Sequence, residues 1–295
     1  MRIFVTGASG WIGSAVVREL LQAGHQVVGL ARSEEASARV AALGADVRRG
    51  DLQDTTSLAQ AAADSDGVVH LGYSHDFSQM AEAAVLDRGA IEAMGTALEG
   101  SGRPLLFASG VLGLAVGRLA TEDDVPDPAV HPRVGNAVAA AALADRGVRP
   151  VAVRFAPTVH GAGDHGFVAV LAQVARERGV SAYVGDGANR WPAVHRDDAG
   201  RLVRLALDGA PAGSAVHAVA EEGVPARAIA EAIGRGLGLP VESVPADRAA
   251  EHFGWIGGFF AADCPVSSDR TRELLGWEPT GPTLLEDLDA GHYTA

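Results

Sequence analysis

The 295-residue chain contains no lysine, one cysteine (Cys264) and three tyrosines (Tyr73, Tyr183 and Tyr293). A lone cysteine excludes an internal disulfide and a cysteine-based zinc cluster, and it fits a reducing compartment. Without lysine the phosphate loop GxxxxGK[ST] cannot occur, and HExxH and GxSxG are missing as well. ATPase, metalloprotease and serine hydrolase readings therefore have no anchor. No apolar run approaches the roughly 20 residues that span a bilayer. The opening "MRIFV" has neither a basic region nor a cleavage site, which predicts a cytoplasmic protein. Positive charge is also scarce: a net charge of −13 argues against nucleic acid or an anionic membrane as partner, while leaving room for a local basic pocket. The expected partner is a small-molecule substrate.

What is present is a rhythm. "RIFVTG" reads as a buried strand, and "WIGSAVVRELLQAG" as a helix with Ile12, Val16, Leu20 and Leu21 on one face. Strands "HQVVGLA", "DVRRGDL" and "GVVHLGY" follow, separated by helices "EEASARVAALG" and "TSLAQAAA". The pattern continues through a helix over 79–99, strand "RPLLFASG", a helix over 133–146 and strand "VRPVAVRFAP". Strands about 20 to 30 residues apart with helices between them imply right-handed crossovers and a parallel sheet covered on both faces. The rhythm then loosens into a helix near 166–178, a short "SAYVGDG" strand, a helix from Asp197, strand "SAVHAVA" and several short helices. The expected fold is α/β: a doubly wound parallel sheet with a smaller, mostly C-terminal lobe. Residues 1–160 form the dinucleotide-binding core, completed by about 195–220, and residues 161–194 and 221–295 form the substrate lobe.

Between the first strand and first helix lies "TGASGWIG", with Gly7, Gly10 and Gly13. That position is the one a dinucleotide fingerprint requires. Gly7 serves the tight turn, Gly10 lets backbone approach a pyrophosphate, and Gly13 lets the helix pack close. The helix N-terminus then offers free N–H groups and a positive dipole end to phosphate. The competing reading is a glycine turn without a ligand.

Taken with "GDLQD", "VVHLGY", "VRFAPTVHGAG", "GDGANRWPAVHRDDAG" and "LLGWEPT", the glycine loop resembles the short-chain dehydrogenase/reductase superfamily, of the extended, epimerase- and reductase-like type. The likeness runs over nearly the whole chain and implies a Rossmann core. It implies cofactor contacts from Gly7, Ser9, Gly10, Trp11, Ile12 and Gly13 and from Asp51 and Leu52 at the adenine. Leu71 and Gly72 would lie along the adenosine, and Ala156, Thr158 and Val159 beside the nicotinamide. His160, Arg190, Trp191 and His195 fall on segments that face substrate in that family. Relatives of this kind occur as monomers and as dimers, so a homodimer is among the expected states.

Cofactor choice turns on the end of the second strand, where an acid would bind the ribose 2′-hydroxyl and an arginine a 2′-phosphate. Ala31 stands where NAD-preferring relatives carry Asp, and Arg32 follows, which favours NADP(H). Glu34 and Glu35 could fold back toward the ribose, and Arg32 could be an ordinary surface residue.

The family's Tyr-x-x-x-Lys pair, which donates a proton as hydride arrives, is absent. Counting back from "ADRGVRPVAVRF" puts Arg133 at the lysine position and Ala129 at the tyrosine position. Arg133 suits ribose binding but not proton donation. Ser109, at a strand end, matches the catalytic serine region; a serine bonded to its own backbone is the plain alternative. Tyr73 lies at the strand edge where such sheets bind ligands, and His131, His160 and His195 are further candidates. No metal is expected, because "HRDD" at 195–198 is explained by Asp197 or Asp198 capping the next helix. These residues predict an NADPH-dependent reductase of a small-molecule C=O or C=N bond, with Ser109, Tyr73 and Arg133 as the working set. An epimerase or dehydratase holding NAD, and a non-catalytic NADP-binding sensor, are the competing functions.

Overall fold

Ile3, Phe4 and Val5 are each fully buried, and that burial decides where their strand lies. In the computed structural model, which describes residues 1–74, 79–125, 127 and 132–294, strand β1 (Arg2–Thr6) runs through the middle of a sheet. After it come β2 (Gln26–Ala31), β3 (Asp46–Arg49), β4 (Gly67–His70), β5 (Pro104–Gly110) and β6 (Arg149–Phe155). The chain leaves this sheet for β7 (Thr158–His160), β8 (Ser181–Val184) and β9 (Arg190–His195). It returns in β10 (Ser214–Ala218) before β11 (Glu221–Pro225) and β12 (Val241–Val244). The seven-stranded sheet has the order β10-β6-β5-β4-β1-β2-β3, with every neighbouring pair parallel. Strand order reverses between β1 and β4, which opens a crevice at their C-terminal ends. The doubly wound α/β expectation holds.

Helices α1 (Trp11–Gln22), α2 (Glu34–Ala42), α3 (Thr55–Ala63), α4 (Met80–Ala97) and α5 (Pro132–Ala141) supply the crossovers. Ser33 and Asp54 start α2 and α3 by accepting from backbone N–H groups three residues on, as N-caps do. The helix expected over 133–146 tightens after Ala141 into a 3-10 turn, Ala142–Arg146, stopped by Gly147. Helix α6 (Phe167–Arg178) belongs to the later segments, whereas α7 (Arg196–Gly209) packs on α1, with Gly200 directly against the backbone of Ala15. Val16, Val17, Leu20, Leu202 and Val203 are fully buried in this layer; each such side chain contributes about 1.5–3 kcal/mol relative to exposure.

A three-stranded sheet, β11-β9-β7, and the parallel pair β12-β8 build the rest. With α8 (Ala226–Leu237), α9 (Ala249–Phe253), α10 (Gly257–Phe260) and α12 (Leu284–Asp289), they enclose a second core around Leu171, Trp191, Ile229 and Phe260. Helix α11 (Asp269–Leu275) precedes Trp277 of the first core. Strand β9 has no apolar/polar alternation to read, because Trp191, Pro192, Ala193 and Val194 are all buried. Among the described residues, no helix is long and apolar enough to cross a membrane.

Candidate active site

The first turn of α1 is built to receive something. Gly7 has φ of +69°, and a side chain there would meet Gly72 N and Leu71 C at 2.8 Å, so the glycine loop lies against the end of β4. A side chain at Gly13 would collide with the Gly7 carbonyl. Gly10, the N-cap of α1, provides no side-chain cap, which leaves the first N–H groups of the helix pointing outward for an anion. Ser9 and Ile12 flank this opening, both half-buried. A nicotinamide dinucleotide fits these features: the cradle is one that a Cβ would fill, and the helix end is uncapped.

Trp11 reaches away from the cradle and ties it to the later segments. Its indole N–H donates to the Val159 carbonyl at 2.7 Å, the Arg196 guanidinium lies 4.1 Å from the ring centre, and the His165 ring meets it edge-on at 5.8 Å. At the adenosine side, Asp51 accepts from Gln53 N in its own turn, and Leu52 is half-buried against the cluster that holds Phe4, Leu30 and Leu58.

At the end of β2, Arg32 is exposed and makes no hydrogen bond or ion pair among the described residues. The two acids that could have turned toward a ribose are engaged elsewhere: Glu34 with Arg49 and Glu35 with Arg39, each at 2.5 Å.

Beyond the cradle, Arg133 at the start of α5 bridges Tyr73, just past the end of β4, and the Ala108–Ser109 stretch of β5. The Arg133 guanidinium sits 3.9 Å over the Tyr73 ring and donates to the Ala108 carbonyl, next to Ser109, at 3.3 Å. Ser109 is half-buried and makes no side-chain hydrogen bond among the described residues. Burial raises the Tyr73 pKa above its ordinary value; Arg133 pulls it back and Asp87 adds to the rise. The phenol therefore keeps its proton at neutral pH. Ala129 and His131 lie outside the described residues.

Sequence reading missed the polar chain behind this group. Gly72 N donates to Thr6 Oγ1 at 3.0 Å, so the Thr6 hydroxyl is free to donate to His70 Nδ1 at 2.7 Å. His70 Nε2–H then reaches Asp87 Oδ1 at 3.2 Å, and Asn136 Nδ2 donates to Asp87 Oδ2 and to the Ala84 carbonyl, both at 2.7 Å. All four side chains are buried. Burial drives the Asp87 pKa up, but the hydrogen bond from His70, the Arg133 charge and the bond from Asn136 outweigh it and hold the carboxyl below its usual range. Arg133 and Asn136 are three residues apart, on one face of α5. The chain thus joins the cradle floor to the helix that carries Arg133.

His160 is fully buried, with Nδ1 2.6 Å from Asp287 Oδ2. Trp191 is a core residue whose indole donates to the Phe259 carbonyl. Arg190 closes on Asp263 through two bonds, at 3.0 and 2.8 Å. His195, rather than Asp197 or Asp198, is the N-cap of α7. Asp198 instead accepts from Arg201, Thr280 N and Gly281 N. Ala156, Thr158 and Val159 have buried side chains; of these, Val159 contributes a carbonyl to Trp11. Burial pushes the Cys264 thiol up to about 11, which rules it out as a nucleophile near neutral pH.

Residues 3–125 match the model of the NAD dependent epimerase/dehydratase family. The chain is 50% identical over 295 residues, covering 99% of itself and 100% of the relative, to the uncharacterized protein C2A9.02 of Schizosaccharomyces pombe. It is 30% identical over 229 residues to a 2-alkyl-3-oxoalkanoate reductase of Stenotrophomonas maltophilia, covering 73% of this chain and 68% of that one. The chain belongs to the NAD-dependent epimerase/dehydratase family, the extended short-chain dehydrogenase/reductases. Family membership makes it nicotinamide-dinucleotide dependent, of the short-chain oxidoreductase or epimerase kind. The fold agrees: a Streptomyces venezuelae dTDP-glucose 4,6-dehydratase, solved with NAD, superposes with a TM-score of 0.77 at 22% identity, covering 99% of this family member and 96% of that chain.

Proposed function

We propose that this family member is an NADPH-dependent reductase of a small-molecule carbonyl. The observation that carries the reading is the Tyr73–Arg133–Ser109 group at the strand ends next to the glycine cradle. Arg32, with no partner among the described residues, supports NADP(H) over NAD, because a guanidinium without a carboxylate suits a 2′-phosphate. The relative named as a 2-alkyl-3-oxoalkanoate reductase supports C=O over C=N as the reducible bond.

When bound, the reduced nicotinamide supplies a hydride to the carbonyl carbon. The chain's own residues handle the oxygen. The Ser109 hydroxyl donates a hydrogen bond to it, and the Tyr73 phenol gives up its proton as negative charge develops there. Arg133, lying over the ring, stabilises the phenolate that results, which is the part a lysine plays beside the tyrosine in the motif this chain lacks. Asp87, His70 and Asn136 hold α5 so that the guanidinium stays on the ring.

The test is consumption of NADPH by purified protein against a panel of ketones, aldehydes and cyclic imines. Turnover with carbonyls and little with imines is expected. No oxidation with any member of the panel sinks the reading, and turnover with imines alone moves it to C=N.

A further inference from the structure

The end of β5 is walled by a segment that the catalytic group does not use. Two residues past Ser109, the Val111 carbonyl lies 3.6 Å from Cys264 Sγ, and Cys264 N donates to the Arg190 carbonyl at 2.9 Å. Asn189 and Trp191 donate to the carbonyls of Phe260 and Phe259 at 2.7 and 3.2 Å. These bonds fix the stretch from Phe259 to Cys264 near the strand end that carries Ser109. Its aromatic rings continue one another: Phe167 lies 5.7 Å from Trp191, 5.5 Å from Trp255 and 6.0 Å from Phe259, with Trp255 and Phe259 6.1 Å apart.

One end of this cluster is buried and the other reaches the surface. Trp191 is fully buried, whereas Trp255 is 46% exposed, an unusual place for so large an apolar surface. In sequence, Phe167 follows two residues after His165, whose ring meets Trp11 of the cofactor cradle. The segment after Ser109 exposes Val116, Leu119 and Val125, and is tied to the residues just past Cys264 by Ala120 N to Pro265 O and Ser267 N to Ala120 O, both at 2.9 Å. The arginines of the two walls are already matched to carboxylates, Arg190 to Asp263 and Arg118 to Asp124. A phosphorylated substrate would find no uncommitted cation in them.

From this juxtaposition we propose that Phe167, Trp255 and Phe259 are the substrate-recognition wall and take the flat, apolar body of an aryl ketone or aldehyde whose carbonyl lies at Ser109. The inference rests on the reductase reading for the position of the carbonyl, but the wall binds its ligand whether or not turnover follows. The NADPH-loaded protein should bind 2-acetylnaphthalene in a calorimetric titration and show no binding of dTDP-glucose. Trp255→Ala and Phe259→Ala should each weaken binding of 2-acetylnaphthalene by about tenfold, the size of loss typical for a buried aromatic anchor. NADPH affinity should stay within about twofold. Where Trp255→Ala also lowers NADPH affinity, Trp255→Leu, which keeps an apolar side chain of smaller area, carries the same comparison. Unchanged binding in these variants, or binding of dTDP-glucose in place of the ketone, overturns the assignment. Retained ketone binding without NADPH oxidation would instead count against the reductase reading alone.

Discussion

At the residue scale the glycine loop was legible in the sequence, because three positions in a fixed local spacing do one job; Arg32 and Tyr73 were singled out by their places at strand ends, and their roles are proposals. Replacing Arg32 with Ala should raise the Kd of NADPH by about tenfold or more, the loss expected for a charge-assisted phosphate contact, and leave that of NADH unchanged. Titration calorimetry checks both; equal effects on the two cofactors would remove Arg32 from the 2′ position. Tyr73→Phe should cut kcat by about a hundredfold or more, the range for loss of a general acid, with NADPH affinity preserved. The Thr6–His70–Asp87–Asn136 chain was illegible for the opposite reason. Its members come from four elements, and no spacing records that His70 and Thr6, 64 residues apart, share a proton.

Elements with a clear period were readable, and those without one were not. Helix α1 and strand β1 follow their apolar patterns, while β9 and β11, though as long as β1 or longer, and the shorter β7 and β12 carry no alternation. The consequence is visible at His160, whose bond from β7 to Asp287 of α12 no local pattern announces. That clamp has a pH signature. Burial lowers the His160 pKa, with the Asp287 bond opposing, and burial likewise lowers that of fully buried His217, with the Ser267 carbonyl opposing. The unfolded chain titrates near about 6.5, so it takes up protons first as pH falls. Stability from these groups is complete above about pH 6.5 and is lost as pH drops through the lower folded values. Burial raises the pKa of Asp164 and Glu221, and these act with the opposite sign: their contribution is present at low pH and lost as pH rises through the folded values. Between about pH 7 and pH 5 the urea midpoint of the wild type should therefore fall more steeply, or rise less, than that of His160→Gln. Identical slopes in the two proteins contradict the assignment.

At the scale of the whole molecule, the parallel sheet places its switch point between β1 and β4, and the cradle, Tyr73, Ser109 and Arg133 gather along that edge. The doubly wound core was foreseeable because repeated βα units leave few arrangements. The walls around the strand ends depend on which loops the second core pushes together, which no local pattern encodes. The most direct test of the carbonyl-reductase claim is a single turnover with NADPH deuterated at the transferring position of the nicotinamide and an aryl ketone, with the product read by mass spectrometry. Deuterium on the carbinol carbon of the alcohol, and a much slower reaction with NADH, is the expected result. Product without deuterium, or cofactor left reduced while substrate is epimerised or dehydrated, would contradict it.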